Sequence, residues 1–317
     1  GRYQFVLAEG VEARPLPLRK GRTERTGEGI VMTSQGVRAL IDPQTGYLCG
    51  YAVRGRELMR TPLEPDFWRA ETDNDSRGWG VGERLGVWRD AAQRLATRSI
   101  EVADDGVTVV RTLGDSVVLT LRYAWEAAGL GVSYDVRIGE AMPEPLRVGL
   151  RAQWSGALDR AGYCGRGPGE NYADRKEGSF FGVYELPAAD FGFEYVVPQE
   201  NGNRCDVRYL YLGGAKGGGV AFIGRGPLGV SVHDATREAL AAALHTDEVR
   251  RLDGAFEVRV DGAQAGVGGT NSWDLRARPT DEYRLLEKRY AYGFVLCPAS
   301  SLREAGALSR GVEYGAE

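Results

Sequence analysis

Histidine is almost absent from this sequence: His233 and His245 are the only two. Such scarcity argues against histidine-based acid–base catalysis and against a zinc site. Cysteine is sparse as well. Cys49, Cys164, Cys205 and Cys297 are widely spaced with no C-x-x-C pair. They read as buried free thiols in a reducing compartment, so a cytoplasmic location is expected and a metal cluster is not. No apolar run approaches the length of a bilayer span, and residues 1–20 have no signal-peptide core. Charge of one sign is also lacking. The 40 basic residues are balanced by 44 acidic ones, scattered together for a net charge of -4. This leaves no footprint for nucleic acid or a membrane surface.

What is present in excess is glycine, 45 of 317 residues, set between alternating apolar and polar segments. "VRALIDPQTGYLCGYAVRGREL" reads as three strands joined by an Asp-Pro turn and an Arg-Gly turn. Val117, Leu119, Leu121 and Tyr123 alternate, as do Leu130, Val132, Tyr134, Val136 and Ile138. The same period recurs at Leu146, Val148, Leu150, Ala152 and Trp154. Period two with one polar face marks antiparallel strands packed on one side. Further strands are expected at "RYLYL", "GGVAFIG", "LGVSVHD", "AFEVRVD" and "YAYGFVLC". Helices are few and short: a turn or two within "GERLGVWRDAAQRL", one helix in "DATREALAAALH", and one in the tail, where Ser301 and Glu304 form a capping-box pattern. The fold class is therefore all-β: a large antiparallel β-sandwich with minor helices. No repeat of fixed period is evident. With 43% hydrophobic residues a sizeable core is available.

The chain divides by composition into three parts. Residues 1–28 carry one short apolar stretch and then a Pro- and Arg-rich run of linker type. Residues 29–298 form the β domain, and 299–317 a tail with a short helix. The opening Gly1-Arg2, without methionine, reads as a fragment.

Polar-aromatic clusters interrupt the alternation. They are "FWRAETDNDSRGWG" (Phe67 to Gly80), "GRGPGENYADRKEGSFFGVY" (Gly165 to Tyr184) running on to "YVVPQENGNRCDVRYL", and "VDGAQAGVGGTNSWD" (Val260 to Asp274). Taken singly, each is a loop with turn residues in turn positions. The alternating oxygens of Asp73-Asn74-Asp75 suggest calcium, but the twelve-residue loop pattern is missing, so turn or interface hydrogen bonding is the better reading. Glu170, Asn171, Tyr172, Asp174 and Arg175 are the densest polar cluster and read as a hydrogen-bonded network anchoring a loop. Trp273 ends a glycine-rich polar stretch, an unusual place for an indole. Alone, it is either a rim aromatic folded onto its own domain or an exposed plate.

Together these motifs closely resemble the C-terminal domain, or small chain, of the β-galactosidases of glycoside hydrolase family 2. The resemblance rests on Phe67-Trp68-Arg69-Ala70 with Asp73-Asn74-Asp75, on Gly165 to Arg175, on Pro198 to Cys205 and on Gly266 to Trp273. It covers roughly residues 30 to 297, and "YQFVLAEG" resembles the end of the immunoglobulin-like domain that precedes this one. The fold it implies is an antiparallel supersandwich similar to galactose mutarotases. The activity it implies is retaining hydrolysis of terminal β-D-galactosides such as lactose. The two catalytic carboxylates of such an enzyme, with its magnesium and sodium, are implied in a TIM-barrel domain of the same or a partner chain. Nothing here shows the βα alternation of a barrel. The resemblance thus gives this chain no catalytic residue, no metal and no cofactor, and no hydrolysis by itself; the parent is expected to be a homo-oligomer.

For this domain the resemblance implies a share of the pocket wall. Trp273 would stack on the apolar face of galactose, with Asn271 and Ser272 beside it, on a flexible arm. Thr270 and Asn271 stand where many members carry two aspartates. Gly78, Trp79 and Gly80 correspond in position to a mobile lid, with packing of Trp79 on the sandwich as the simpler alternative. Two rival functions remain at this point. A mutarotase-like epimerase needs a histidine–glutamate pair, for which only His233 and His245 are available. A free-standing carbohydrate-binding module would also use an exposed aromatic.

Overall fold

Side-chain alternation settles most of the architecture. In the segment Val117–Trp125 every second residue is buried, and the residues between them are exposed or half-buried. A sheet with one face inward has this signature. The computed structural model describes residues 4, 21–215 and 217–312. Apart from Gln4, the expected end of a preceding domain lies outside the described residues.

The chain first lays down a five-stranded antiparallel meander: β1 (Arg22–Thr26), β2 (Gly29–Ser34), β3 (Val37–Ile41), β4 (Leu48–Val53) and β5 (Arg56–Glu57). The Asp-Pro and Arg-Gly turns join the last three as the sequence suggests. The linker reading of residues 1–28 needs correction at Arg22–Thr26. This polar run pairs along its length with β2, from Arg22 opposite Thr33 to Thr26 opposite Gly29. It is a mostly exposed edge strand, which a polar composition favours over an apolar one.

The second sheet has twelve strands, all antiparallel. They are β6 (Glu64–Asp66), β7 (Ala96–Ala103), β8 (Gly106–Leu113), β9 (Val117–Trp125), β10 (Leu130–Ile138), β11 (Arg147–Ser155), β12 (Arg160–Gly167), β13 (Phe180–Pro187), β14 (Arg204–Gly213), β15 (Gly219–His233), β16 (Ala255–Gln264) and β17 (Arg289–Ala299). One path runs β13-β12-β14-β15-β17-β10-β9-β8-β7, and β16 and β11 branch from β15, with β6 on the far side of β11. The two segments expected as separate strands, "GGVAFIG" and "LGVSVHD", are one strand, β15. Its first half pairs with β17 and its second half with β16. The supersandwich closes where the two sheets meet. Tyr51 on β4 donates its hydroxyl to the Leu296 carbonyl on β17 and sets its ring edge-on to Trp154, centroids 6.1 Å apart. One hydrophobic cluster runs through both sheets.

Helices are short. They are α1 (Val81–Arg84), α2 (Ala91–Arg94), α3 (Arg237–Ala242) and α4 (Leu302–Ser309). The tail helix α4 starts on Ser301, whose hydroxyl accepts from the Glu304 amide. Glu304 reaches back to the amide of Ser300 instead of completing the reciprocal box. Its apolar side covers a second hydrophobic cluster, including Tyr209, Ile223 and Val295, on the outer face of β14, β15 and β17.

Candidate functional site

The polar face of β11, β15 and β16 is not a water-facing surface. Its side chains, several of them charged, are buried beneath the loops that carry the sequence motifs. Arg147 on β11 donates to Asp66 Oδ2 at 3.1 Å and to Glu200 Oε1 at 2.6 Å. Arg259 on β16 holds Glu257 Oε1 with two nitrogens, at 3.0 and 2.7 Å, and reaches Glu200 Oε2 at 3.4 Å. Arg237, at the start of α3, donates to Asp66 Oδ1 at 2.6 Å. All these groups are buried. An interior this dry tolerates charge only when it is paired and hydrogen-bonded. Here the three guanidiniums, joined at the edge by Arg151 with Nη1 3.6 Å from Glu257 Oε2, meet four carboxylates, the fourth being Asp261.

Asp261 is the least well paired of the four. Arg147 Nε stands 3.2 Å from its Oδ2, but neither oxygen receives a hydrogen bond among the described residues. Burial, reinforced by Asp66 and Glu200 and opposed by Arg147, pushes its pKa up to about 7. Asp66 goes the other way: burial raises it, and Arg237 and Arg147 overcome that to hold it well below the usual carboxylate range. Of these residues the four motifs behind the resemblance contain only Glu200, within Pro198 to Cys205. The signal in the strands is the charge at every second position of "FEVRVD" and at both ends of "RVGLR", which ordinarily marks a solvated face.

The four motifs interlock above this floor. Glu200, from the third motif, contacts Arg147, Arg259 and Gln264, and its amide donates to the Ala70 carbonyl of the first. Glu170 of the second motif takes the Gly202 amide at 2.7 Å and pairs with Arg175 and the Tyr195 hydroxyl. Asn171 exchanges hydrogen bonds with Asn203 in both directions, and its side-chain oxygen accepts from the Cys205 amide at 2.8 Å. Tyr172 is fully buried, with the Arg175 guanidinium 4.9 Å from its ring centre.

The loop bearing Trp273 is held from three sides. The Arg69 guanidinium donates to the carbonyls of Ala265 (2.7 Å) and Gly266 (2.9 Å), and on its other edge grips both oxygens of Asp75. Asp174 Oδ2 accepts from the amides of Val267 (2.9 Å) and Gly268 (2.8 Å). Asn74 donates to the carbonyls of Asn271 and Ala277. The loop also closes on itself, with the Thr270 amide bonding the Arg276 carbonyl at 2.8 Å. Asn271 Oδ1 faces the amides of Trp273 and Asp274, while its Nδ2 reaches Asp274 Oδ1. Arg276 in turn lowers the Asp274 pKa by hydrogen bonding. Two glycines are demanded by close approach. A Cβ at Gly266 would fall 2.7 Å from Asp174 Cγ, and one at Gly269 only 2.2 Å from the Arg276 carbonyl oxygen. The arm is therefore braced, a correction to its reading as a flexible segment. At its tip Ser272 is exposed and Trp273 is 77% exposed.

Trp79 is placed differently. Residues Asn74–Trp79 form a wide π-helical turn that ends on Gly80 in the left-handed region, and Trp79 is 2% exposed within the main core. The lid reading of Trp79 is thus corrected: its indole is a core group. Gly78 packs directly on the Trp273 loop, where a Cβ would meet Ala277 Cβ at 2.2 Å. Of the Asp73-Asn74-Asp75 run, Asn74 reaches the loop directly and Asp75 through Arg69, while Asp73 is exposed beside Arg77. Among the described residues no group of three or more His, Cys, Asp or Glu is placed to hold a metal ion. His245 lies on the surface beside Glu248. His233 is buried on β15, and burial, with Arg259 and Arg147, pushes its pKa well below the ordinary value. No described helix is long and apolar enough to cross a membrane.

The sequence pattern of a family described as the beta galactosidase small chain matches residues 33–296. Solved structures similar to this chain include a galactose mutarotase-like protein from Lactobacillus casei, 12% identical over 88% of this chain and 100% of that one, with a TM-score of 0.47. Another is a putative aldose 1-epimerase from Escherichia coli K12, 13% identical over 89% and 100%, with a TM-score of 0.47. A third is a galactose mutarotase-like protein from Clostridium acetobutylicum, 10% identical over 90% and 99%, with a TM-score of 0.48.

Proposed function

The chain belongs to the beta galactosidase small chain family, and from that premise we propose that it is the C-terminal domain of a retaining β-galactosidase, completing the sugar pocket of a neighbouring catalytic barrel. The observation that carries this reading is Trp273: a large indole, 77% exposed, on a loop pinned by Arg69, Asp174 and Asn74. An exposed tryptophan on a braced loop is prepared to be covered by something. A pyranose has one face rich in C–H groups, and a fixed indole buries that face with little loss of rotamer freedom. Asn271 and Ser272 flank it as polar neighbours of the sugar.

The chemistry itself belongs to the barrel. Retention requires two carboxyl groups about 5 Å apart on either side of the scissile bond. The carboxylates clustered in this chain, Asp66, Glu200, Glu257 and Asp261, are buried beneath loops, and arginines occupy them. They are out of a glycoside's reach. On this reading magnesium and sodium also belong to the parent's other domains.

The test is Trp273→Ala in the complete parent enzyme. The expected result is a fall of about 10- to 100-fold in kcat/KM for a β-galactoside, the scale of one lost aromatic face, with no turnover by this chain alone. Undiminished kcat/KM would overturn the proposal. Galactose binding by the isolated chain that Trp273→Ala abolishes would favour a free-standing binding module instead.

A further inference from the structure

Resting on that reading of Trp273, we infer that Asp174 is a positioning residue for galactoside hydrolysis: its carboxylate sets where the indole stands, though it touches no sugar itself. The motif Gly165 to Arg175 has no chemistry of its own in the preceding reading. Its other polar members turn inward, Glu170 to Gly202 and Asn171 to Asn203 and Cys205. Arg175 pairs with Glu170. Asp174 alone of these reaches the Trp273 loop, and it does so with one oxygen on two successive amides, Val267 and Gly268. Its second oxygen, Oδ1, is buried with no hydrogen-bond partner among the described residues. The group's hydrogen bonding is thus committed to the loop.

The grip is complementary to that of Arg69. The guanidinium takes the carbonyls of Ala265 and Gly266, and the carboxylate takes the next two amides. Consecutive N–H groups converging on one oxygen form an anion-binding concavity, and hydrogen bonds to a charged acceptor are roughly twice as strong as neutral ones. Beyond the clamp the loop is stiff. Thr270 is tied to Arg276, Asn271 to Asp274, and Gly269 lies against the Arg276 carbonyl. A shift at Val267–Gly268 is therefore carried to Trp273 instead of being absorbed on the way. Misplacing a positioning group by about 1 Å can cost 100-fold in rate.

The experiment is a double-mutant cycle in the complete parent enzyme, with Asp174→Ala, Trp273→Ala and the pair, reading kcat and KM for a β-galactoside alongside thermal midpoints. The expected result is that Asp174→Ala lowers kcat/KM about 10-fold in the wild-type background but by less than about twofold once Trp273 is alanine, because groups acting through one another are non-additive. Should Asp174→Ala fail to fold, Asp174→Asn keeps the shape and one acceptor oxygen without the charge. It is expected to cost about threefold in the wild-type background and nothing further beside Trp273→Ala. Effects that multiply in full, or a wild-type kcat/KM for Asp174→Ala, overturn the inference while leaving Trp273 as a sugar-stacking residue. A wild-type kcat/KM for Trp273→Ala overturns the stacking reading, and this inference with it.

Discussion

Arg69 and Asp75, six residues apart, meet edge to edge in the interior: Nε to Oδ2 at 2.8 Å and Nη2 to Oδ1 at 2.7 Å, with both side chains buried. Two of the three remaining guanidinium protons go to the Ala265 and Gly266 carbonyls. A planar fork is needed for this double role, and lysine cannot supply it.

Asp75→Asn leaves that buried guanidinium without its counter-charge. Breaking a buried pair from one side costs about 3–5 kcal/mol. The variant is expected to unfold at markedly lower denaturant, and Arg69→Lys is expected to fail to restore the loop. Chemical denaturation of the chain, with equal slopes for wild type and variant, measures the first. A loss below about 1 kcal/mol would show that the pair does not carry the stability assigned to it.

The two tryptophans should separate stability from function. Trp79→Ala removes a fully packed indole and is expected to cost about 3–5 kcal/mol. Trp273→Ala removes an exposed one and is expected to stay within about 0.5 kcal/mol of wild type. Calorimetry of both variants decides. Equal losses would mean that Trp273 is not the free surface plate described above.

Glycine substitutions in the loop should be unequal despite their proximity. At Gly269 a Cβ meets a backbone carbonyl oxygen at 2.2 Å, so Gly269→Ala is expected to displace the loop and cost about 1–3 kcal/mol. At Gly268 the nearest atom is Asp174 Oδ2 at 3.6 Å, ordinary contact distance, so Gly268→Ala is expected to be nearly neutral. Thermal unfolding of the pair checks this, and comparable losses would refute the close-approach argument.

Asp261 gives a pH dependence of defined sign. Its folded pKa, about 7, lies above the ordinary 3.8. The folded state therefore binds the proton more tightly than the unfolded state. Its contribution is fully present below the unfolded pKa and is lost as pH rises through about 7. Asp66 and Glu200, held below their ordinary values, act in the opposite sense: their contribution is present above those ordinary values and is lost only as pH falls below them. Asp261→Asn removes the first effect. Relative to wild type, the variant should gain stability between about pH 5 and about pH 8. Parallel denaturation curves at the two pH values, with an unchanged difference, would contradict the assignment.

The case of β16 shows how far the sequence reaches. Phe256, Val258 and Val260 point into the core, as their period of two requires. Glu257, Arg259 and Asp261 point the other way, also as required. Period two reports that a strand has a second face, not what covers it. Water and a lid of loops leave the same alternation, so the buried ion network was illegible. The same limit explains Arg22–Thr26, where polar composition suits an edge strand as well as a linker, and Trp79, where a glycine-flanked indole suits a lid as well as a core.

What the sequence determined by itself was the antiparallel sandwich, because alternation and turn chemistry act over a few residues. It also determined the family, because four ordered motifs are specific without any knowledge of their contacts. The convergence of Arg69, held by Asp75, and of Asp174 on one loop exists only in the folded chain. Those contacts join residues separated by as many as 197 positions, and no local pattern encodes a separation of that length. The fold alone brings a guanidinium from one motif and a carboxylate from another to the backbone beneath Trp273.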